Sequence, residues 1–308
     1  MANISAKDVM ELRKKTGCGM MECKKALVET DGNFDEAIKY LREKGLSVAA
    51  KKADRVAAEG VVDVLSENGI TAIIEVNAET DFVAKNASFQ EFVKGILKTI
   101  VANKPADLTA LNALNYNGTE VTVEAELKNM IFTIGENMSI RRFDIIEGST
   151  GCYIHGGGSA GVVTKFDTDL DVNSDAFVAY AKNVCMQIAA MSPSYVDRDA
   201  VPASVIENEK SILMSQIEND EKLKSKPDAV KEKMVVGRIS KFYDNNCLLD
   251  MAYVKEDDMK VGKYVENTAK ALGGNITVTG FYRFEKGEGI QKREENFADE
   301  IAKLTGNN

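Results

Sequence analysis

IIEVNAETDFVAKNASF, residues 73–89, runs from a strand pattern through a polar turn into a helix pattern. Around its start, Ile70, Ala72, Ile74 and Val76 alternate with Thr71, Ile73, Glu75 and Asn77, the period of a half-buried strand. At its end, Ser88-Phe89-Gln90-Glu91 has the form of a capping box, and Phe89, Phe92, Val93, Ile96 and Ile100 recur at helical spacing. Between the two lies Thr80-Asp81-Phe82-Val83, a large apolar side chain directly after an acid. Physical preference alone favours Phe82 as a core plug at the strand–helix junction, because aromatics gain most from burial. An exposed contact residue is the alternative.

The same pattern recurs. Residues 161–166, GVVTKF, are again strand-like, and a helix follows through Phe177, Tyr180, Val184 and Ile188. IGENMSIRRF (134–143) lines up with LGGNITVTGF (272–281), sharing Gly-x-Asn and a closing Phe. Two matches in the same order predict duplication of one α+β unit. Gly135 and Gly273 hold matching positions between a helix and a strand, where helix C-terminal capping accounts for them. Phe89 to Gly135 spans 46 positions and Phe177 to Gly273 spans 96, so the second copy carries an insertion of 50. Most of the excess falls between Val201 and Phe242. Ser204-Val-Ile-Glu207 predicts one helix start, with Val205, Ile212 and Ile217 along it; Pro227 suits the first turn of a return helix carrying Val230, Met234 and Val235. This predicts a protruding antiparallel helical hairpin.

Three helix starts crowd the first 45 residues. Ser5-Ala-Lys-Asp8 resembles a capping box with a staple between Ile4 and Val9, Gly17 and Gly19 interrupt the chain before MMECKKAL, and Asn33 opens a third helix that Gly45 is suited to end. Met20 and Met21 are adjacent, so a narrow apolar stripe cannot bury both. LSVAAKKADRVAAEG (46–60) reads as a helical linker. At the far end, Phe297, Ile301 and Leu304 share one face of a short amphipathic helix.

Composition narrows the function. The chain has 308 residues, 44% of them hydrophobic, and a net charge of -9, a poor balance for a nucleic-acid binder. No apolar run approaches the ~18 residues of a membrane span, and the start lacks a targeting pattern, which favours the cytoplasm. Five scattered cysteines read as reduced, buried thiols; Cys18 and Cys23 are close, but no cluster completes a metal quartet. HGGGSAG (155–161) imitates both an oxyanion motif and a nucleophile elbow. Ser159, however, precedes a strand rather than a helix, and His155 is the chain's only histidine, four residues away in the same loop. A glycine-rich hairpin turn explains the stretch. No phosphate loop or dinucleotide fingerprint is present, Asp257-Asp258 reads as solvated loop charge, and the chain points to action by binding, with no cofactor and no catalytic residues.

LRKKTGCGMMECKKAL (12–27), EVNAETDFVAKN (75–86), IGENMSIRR (134–142) and TGFYRFEKGEGI (279–290) occur in an order that closely resembles the bacterial elongation factor Ts family over nearly the whole chain. The resemblance implies an α+β fold: an N-terminal three-helix UBA-like domain with linker (1–54), a core of two subdomains with antiparallel sheets (55–147 and 148–285), a coiled-coil hairpin inserted at about 193–244, and a C-terminal helical module (286–308). It implies a guanine nucleotide exchange factor that releases GDP from elongation factor Tu without covalent chemistry. Asp81 and Phe82, flanked by Thr80 and Val83, would insert into the GTPase and disturb its Mg²⁺ and phosphate site, making Phe82 an exposed wedge. Leu12, Met20, Met21, Lys24, Ile134, Gly135, His155, Met234 and Val235 are implied as further partner contacts; the loop after His155 is a residue longer than the usual family form. The resemblance leaves a homodimer or a 2:2 complex open. The competing reading is a non-catalytic interaction scaffold built on the N-terminal helices.

Overall fold

In a computed structural model describing residues 4–291, the first helix, α1 (Ala6–Thr16), starts as its sequence predicts. The Ser5 hydroxyl accepts the Asp8 N–H, the Asp8 carboxylate accepts the Ser5 N–H at 2.9 Å, and Gly17 closes the helix in the left-handed region. α2 (Met20–Glu29) and α3 (Phe34–Lys52) complete a three-helix module around Leu12, Cys23, Leu27 and Leu41. Asn33 caps α3, but Gly45 does not end it: the helix continues to Lys52, and Gly45 is buried where a Cβ would sit 3.5 Å from Phe132 Cβ. The linker is therefore helical only to Lys52.

The first half of the core contains β1 (Glu59–Glu67), β2 (Ile70–Ala78), α4 (Asp81–Ala84), α5 (Ala87–Asn103), α6 (Leu108–Ala113), α7 (Val123–Ile134) and β3 (Met138–Glu147). The strands form one antiparallel sheet in the order β1-β2-β3. α5 begins two residues earlier than the Ser88 capping box predicts, because the Asn86 side chain accepts the Ser88 N–H at 2.8 Å. Phe89, Phe92, Val93, Ile96 and Ile100 are all buried, in agreement with their spacing.

The second half contains β4 (Ser149–His155), β5 (Ala160–Thr168), α8 (Asp175–Met191), α9 (Ala203–Asn219), α10 (Asp228–Asn246), β6 (Ala252–Tyr253), β7 (Glu256–Lys260), α11 (Val261–Leu272) and β8 (Ile276–Glu285). Its main sheet is antiparallel in the order β4-β5-β8. The duplication reaches fine detail. Gly135 and Gly273 end α7 and α11 in left-handed backbone. The β2–β3 ladder skips Arg141 and the β5–β8 ladder skips Thr279, each six positions beyond its glycine.

β2 is not half-buried. Ala72, Ile74 and Val76 face the helices, while Ile73, with Val62 and Ile146, packs against Val163 and Phe284 of the other sheet. The sheets stack closely at Gly161, where a Cβ would lie 2.6 Å from Val62 Cγ1. Alternation within one strand cannot report a second layer.

The insertion is the predicted helical pair, with its own small core of Leu213, Ile217, Val235 and Ile239. Ile212 and Val230 point outward instead, and Leu213 takes the seam. α9 starts after Pro202 rather than at Ser204, and Pro227 is itself the N-cap of α10. At its base Leu248 N–H donates to Tyr195 O (2.9 Å), Leu249 N–H to Val196 O (3.0 Å), and Arg198 grips Asp250 through Nε and a terminal nitrogen. Four cysteines are buried as expected; Cys152, on β4, is exposed. Asp257 and Asp258 are exposed on β7 rather than in a loop. No helix among the described residues is long and apolar enough to cross a membrane. The predicted C-terminal helix of Phe297, Ile301 and Leu304 lies outside the described residues.

Candidate functional site

Thr80 to Ala84 forms a single helical turn bracketed by β2 and α5. Its N-cap, Thr80, does not cap with its own side chain. Instead the Thr80 N–H and hydroxyl both donate to the Glu136 carboxylate, at 3.0 and 2.8 Å. The neighbouring Glu79 carboxylate accepts the Asn137 N–H at 2.5 Å. Two consecutive residues of the turn are thus tied by carboxylates to two consecutive residues of the α7–β3 connection. Charge-assisted bonds of this kind are roughly twice as strong as neutral ones. Asn137 also donates from its amide to Arg55 O at 2.7 Å, and the Lys52 ammonium reaches the Gly135 carbonyl, so the linker is held at the same point.

On this base the side chains part. Successive helical residues are rotated by about 100°, so Val83 and Ala84 turn into the core and Phe82 turns out. Val83 is 5% exposed and Phe82 is 80% exposed. The core-plug expectation for Phe82 is overturned; Val83 and Phe89 occupy that space. Asp81 pairs with Lys85 at 2.6 Å, and this hydrogen bond holds its carboxyl below the ordinary aspartate range.

The helical module abuts the same region. A Cβ on Gly17 would lie 3.8 Å from Thr133 Cγ2, close to the end of α7. Met20 is 44% and Met21 74% exposed, so both methionines point outward where adjacency required only one. Lys24 is exposed, and Met10 and Val28 add apolar surface that the sequence reading missed. Leu12, in contrast, is completely buried within the module and presents no surface to a partner. Ile134 packs half-buried against the first core, and Gly135 is a helix cap whose carbonyl is occupied by Lys52.

His155 is exposed at the end of β4, with Nδ1 3.0 Å from the Tyr153 hydroxyl. The glycine loop after it is a tight turn pinned to the first sheet, the Gly158 carbonyl accepting the Val62 N–H at 2.8 Å. Ser159 Oγ donates to the His155 backbone carbonyl at 3.1 Å, not to its ring, so the two form no nucleophile–base pair. Met234 and Val235 belong to the hairpin; Val235 faces the hairpin's own seam, and its neighbour Val236 is the exposed residue. Glu79, Glu136 and Asn137 were missed. For Glu136 and Asn137 the signal is the Gly-x-Asn repeat, which by itself marks the duplication and, at its glycine, a helix cap.

A family model described as Elongation factor TS matches residues 79–288. The curated protein "Elongation factor Ts" of Syntrophotalea carbinolica is 48% identical over 305 residues, covering 98% of this chain and 99% of that protein. Those of Magnetococcus marinus and Clostridium kluyveri, with the same name, are 46% and 44% identical, each over 97–98% of this chain and 98% of their own length.

Proposed function

Because the chain belongs to the elongation factor Ts family, we propose that it is a guanine nucleotide exchange factor that promotes GDP release from elongation factor Tu in translation elongation. The observation that carries the mechanism is Phe82, 80% exposed on a turn whose other apolar residues are buried. Free aromatic surface costs solubility unless a partner covers it, and an aromatic entering a pocket is a common anchor of binding energy. A wedge held on a clamped turn loses little conformational entropy on insertion. Asp81 keeps the tip polar and offers acceptors to the partner. Insertion of Asp81-Phe82 between elements of the GTPase disturbs its Mg²⁺ and phosphate site, so GDP leaves without any covalent bond being made or broken. Linkage makes the effect reciprocal: GDP weakens binding of the exchange factor in the same ratio in which the exchange factor weakens binding of GDP.

Met20, Met21 and Lys24 dock the N-terminal UBA-like module on the partner, with Leu12 supporting them from beneath. Thr80, Val83, Ile134, Gly135 and His155 shape the core contact, and Met234 and Val235 shape the coiled-coil hairpin. The protein acts in the cytoplasm, as a homodimer or in a 2:2 complex with elongation factor Tu, with no direct role for nucleic acid or membrane. The test is release of fluorescent GDP from elongation factor Tu by substoichiometric factor. Strong acceleration is expected, and its loss in folded Phe82→Ala; no acceleration with a matched partner overturns the reading.

A further inference from the structure

The internal duplication supplies a control for the wedge. After β2 and after β5 an acid accepts the backbone N–H of the repeat asparagine: Glu79 from Asn137 at 2.5 Å, Asp169 from Asn275 at 2.7 Å. That clamp belongs to the shared architecture. The second clamp does not. The counterpart of Glu136 is Gly274, where a Cβ would lie 2.5 Å from Leu170 Cδ2 and 2.6 Å from Asp169 Oδ1. The chain after Asp169 forms no short helix, and its Leu170 and Val172 fold down against the second core. The copy with an exposed aromatic is the copy with a glutamate holding the turn; the copy without it has a glycine at that position, close under the Leu170 and Asp169 side chains.

From this contrast we infer that Glu136 is the positioning residue of the Phe82 wedge. The inference rests on the wedge reading of Phe82. One carboxylate takes both the N–H and the hydroxyl of Thr80, which fixes the direction in which the following helical turn starts. That direction decides that Val83 enters the core and Phe82 leaves it. Glu136 directly follows Gly135, whose carbonyl holds Lys52 at the end of α3. The wedge is therefore oriented relative to the helical module as well as to its own sheet.

The chain contains no tryptophan, so Phe82→Trp installs a single indole at the tip. In the free protein, time-resolved anisotropy of this indole is expected to show restricted motion, with the amplitude of fast local motion rising by about twofold or more on adding Glu136→Ala. In labelled-GDP release, Glu136→Ala alone is expected to lower the maximal rate by about tenfold or more, because small misplacements of a positioned group are costly. The factor concentration at half-maximal rate should change by less than about threefold, as docking through the methionine surface persists. Glu136→Gln, which keeps one acceptor oxygen, should recover part of the rate, and Glu136→Ala should add nothing to Phe82→Ala. Should Glu136→Ala fail to fold, Thr80→Val removes the hydroxyl bond alone and should slow release and loosen the indole in the same sense. Unchanged indole anisotropy on adding Glu136→Ala to Phe82→Trp overturns the inference whatever the kinetics. Wild-type release by Glu136→Ala overturns it while the wedge reading stands, provided Phe82→Ala is slow. Wild-type release by Phe82→Ala removes the wedge itself, and both readings fall.

Discussion

Phe82 and Val83 are adjacent, apolar and opposite in role, and substitution separates them. Phe82 is exposed, so Phe82→Ala should change stability by no more than about 0.5 kcal/mol while abolishing most exchange activity. Val83 is buried against Phe89 and its neighbours in the first core. Val83→Ala removes two buried carbons and leaves a small void, so it should cost about 2 kcal/mol. Urea denaturation of both variants beside labelled-GDP release checks the pair. Phe82→Ala should slow release at a nearly unchanged urea midpoint, whereas Val83→Ala should lower the midpoint.

The helical hairpin is the element with the weakest ties to the rest. Its buried residues form a separate cluster, and its fastening at the base centres on the Tyr195–Leu248 pairing and the Arg198–Asp250 ion pair. A segment with so small a core opens on its own, below the free energy of global unfolding. Ile217 is completely buried in that seam. Ile217→Ala should lower the local opening free energy of α9 and α10 by about 2–5 kcal/mol. Amide exchange should accelerate across residues 203–246 and stay unchanged in β2 and α5. Uniform acceleration throughout the protein would show that the arm unfolds only with the core.

At the scale of the molecule, one buried carboxylate joins the two sheets. Glu75 is fully buried on β2 and meets Arg141 at 2.9 Å, Arg142 at 2.7 Å and the Gly287 N–H at 2.8 Å. Arg142 continues to Glu288 at 3.0 Å and lies over the Phe284 ring. Burial raises the Glu75 pKa, but the Gly287 N–H and the Arg141, Asn77 and Arg142 side chains together outweigh it and hold the group below 4.5. A depressed carboxyl stabilises the fold above its unfolded pKa and loses that contribution as pH falls through the folded value. Glu75→Gln should therefore be less stable than the parent by about 3–5 kcal/mol near neutrality. The gap should close as pH drops below 4.5. Asp144, two residues beyond Arg142 on β3, runs the other way: burial raises its pKa above 3.8, opposed only by Arg142. Its ionised form opposes folding, so Asp144→Asn should stabilise the protein at pH 7, and the gain should vanish below about pH 3.8. Thermal melts across this pH range distinguish the two signs.

Residues 73–89 already contained the strand, the turn and the helix, because each is written in short-range periodicity and turn chemistry. The duplication and the hairpin were legible for the same reason, since repeated spacing survives where side chains differ. Only the tertiary structure decided the rest. The burial of both faces of β2 depends on a second sheet whose first strand begins at Ser149. Gly45 stays helical because α3 runs on to Lys52 packed along α7, with Phe132 beside it. The outward direction of Phe82 depends on Glu136, which is 56 residues from Thr80 along the chain. Local sequence sets which conformations a turn can adopt at little cost. Which of two adjacent apolar side chains reaches water is set by the distant carboxylate that fixes where the turn begins.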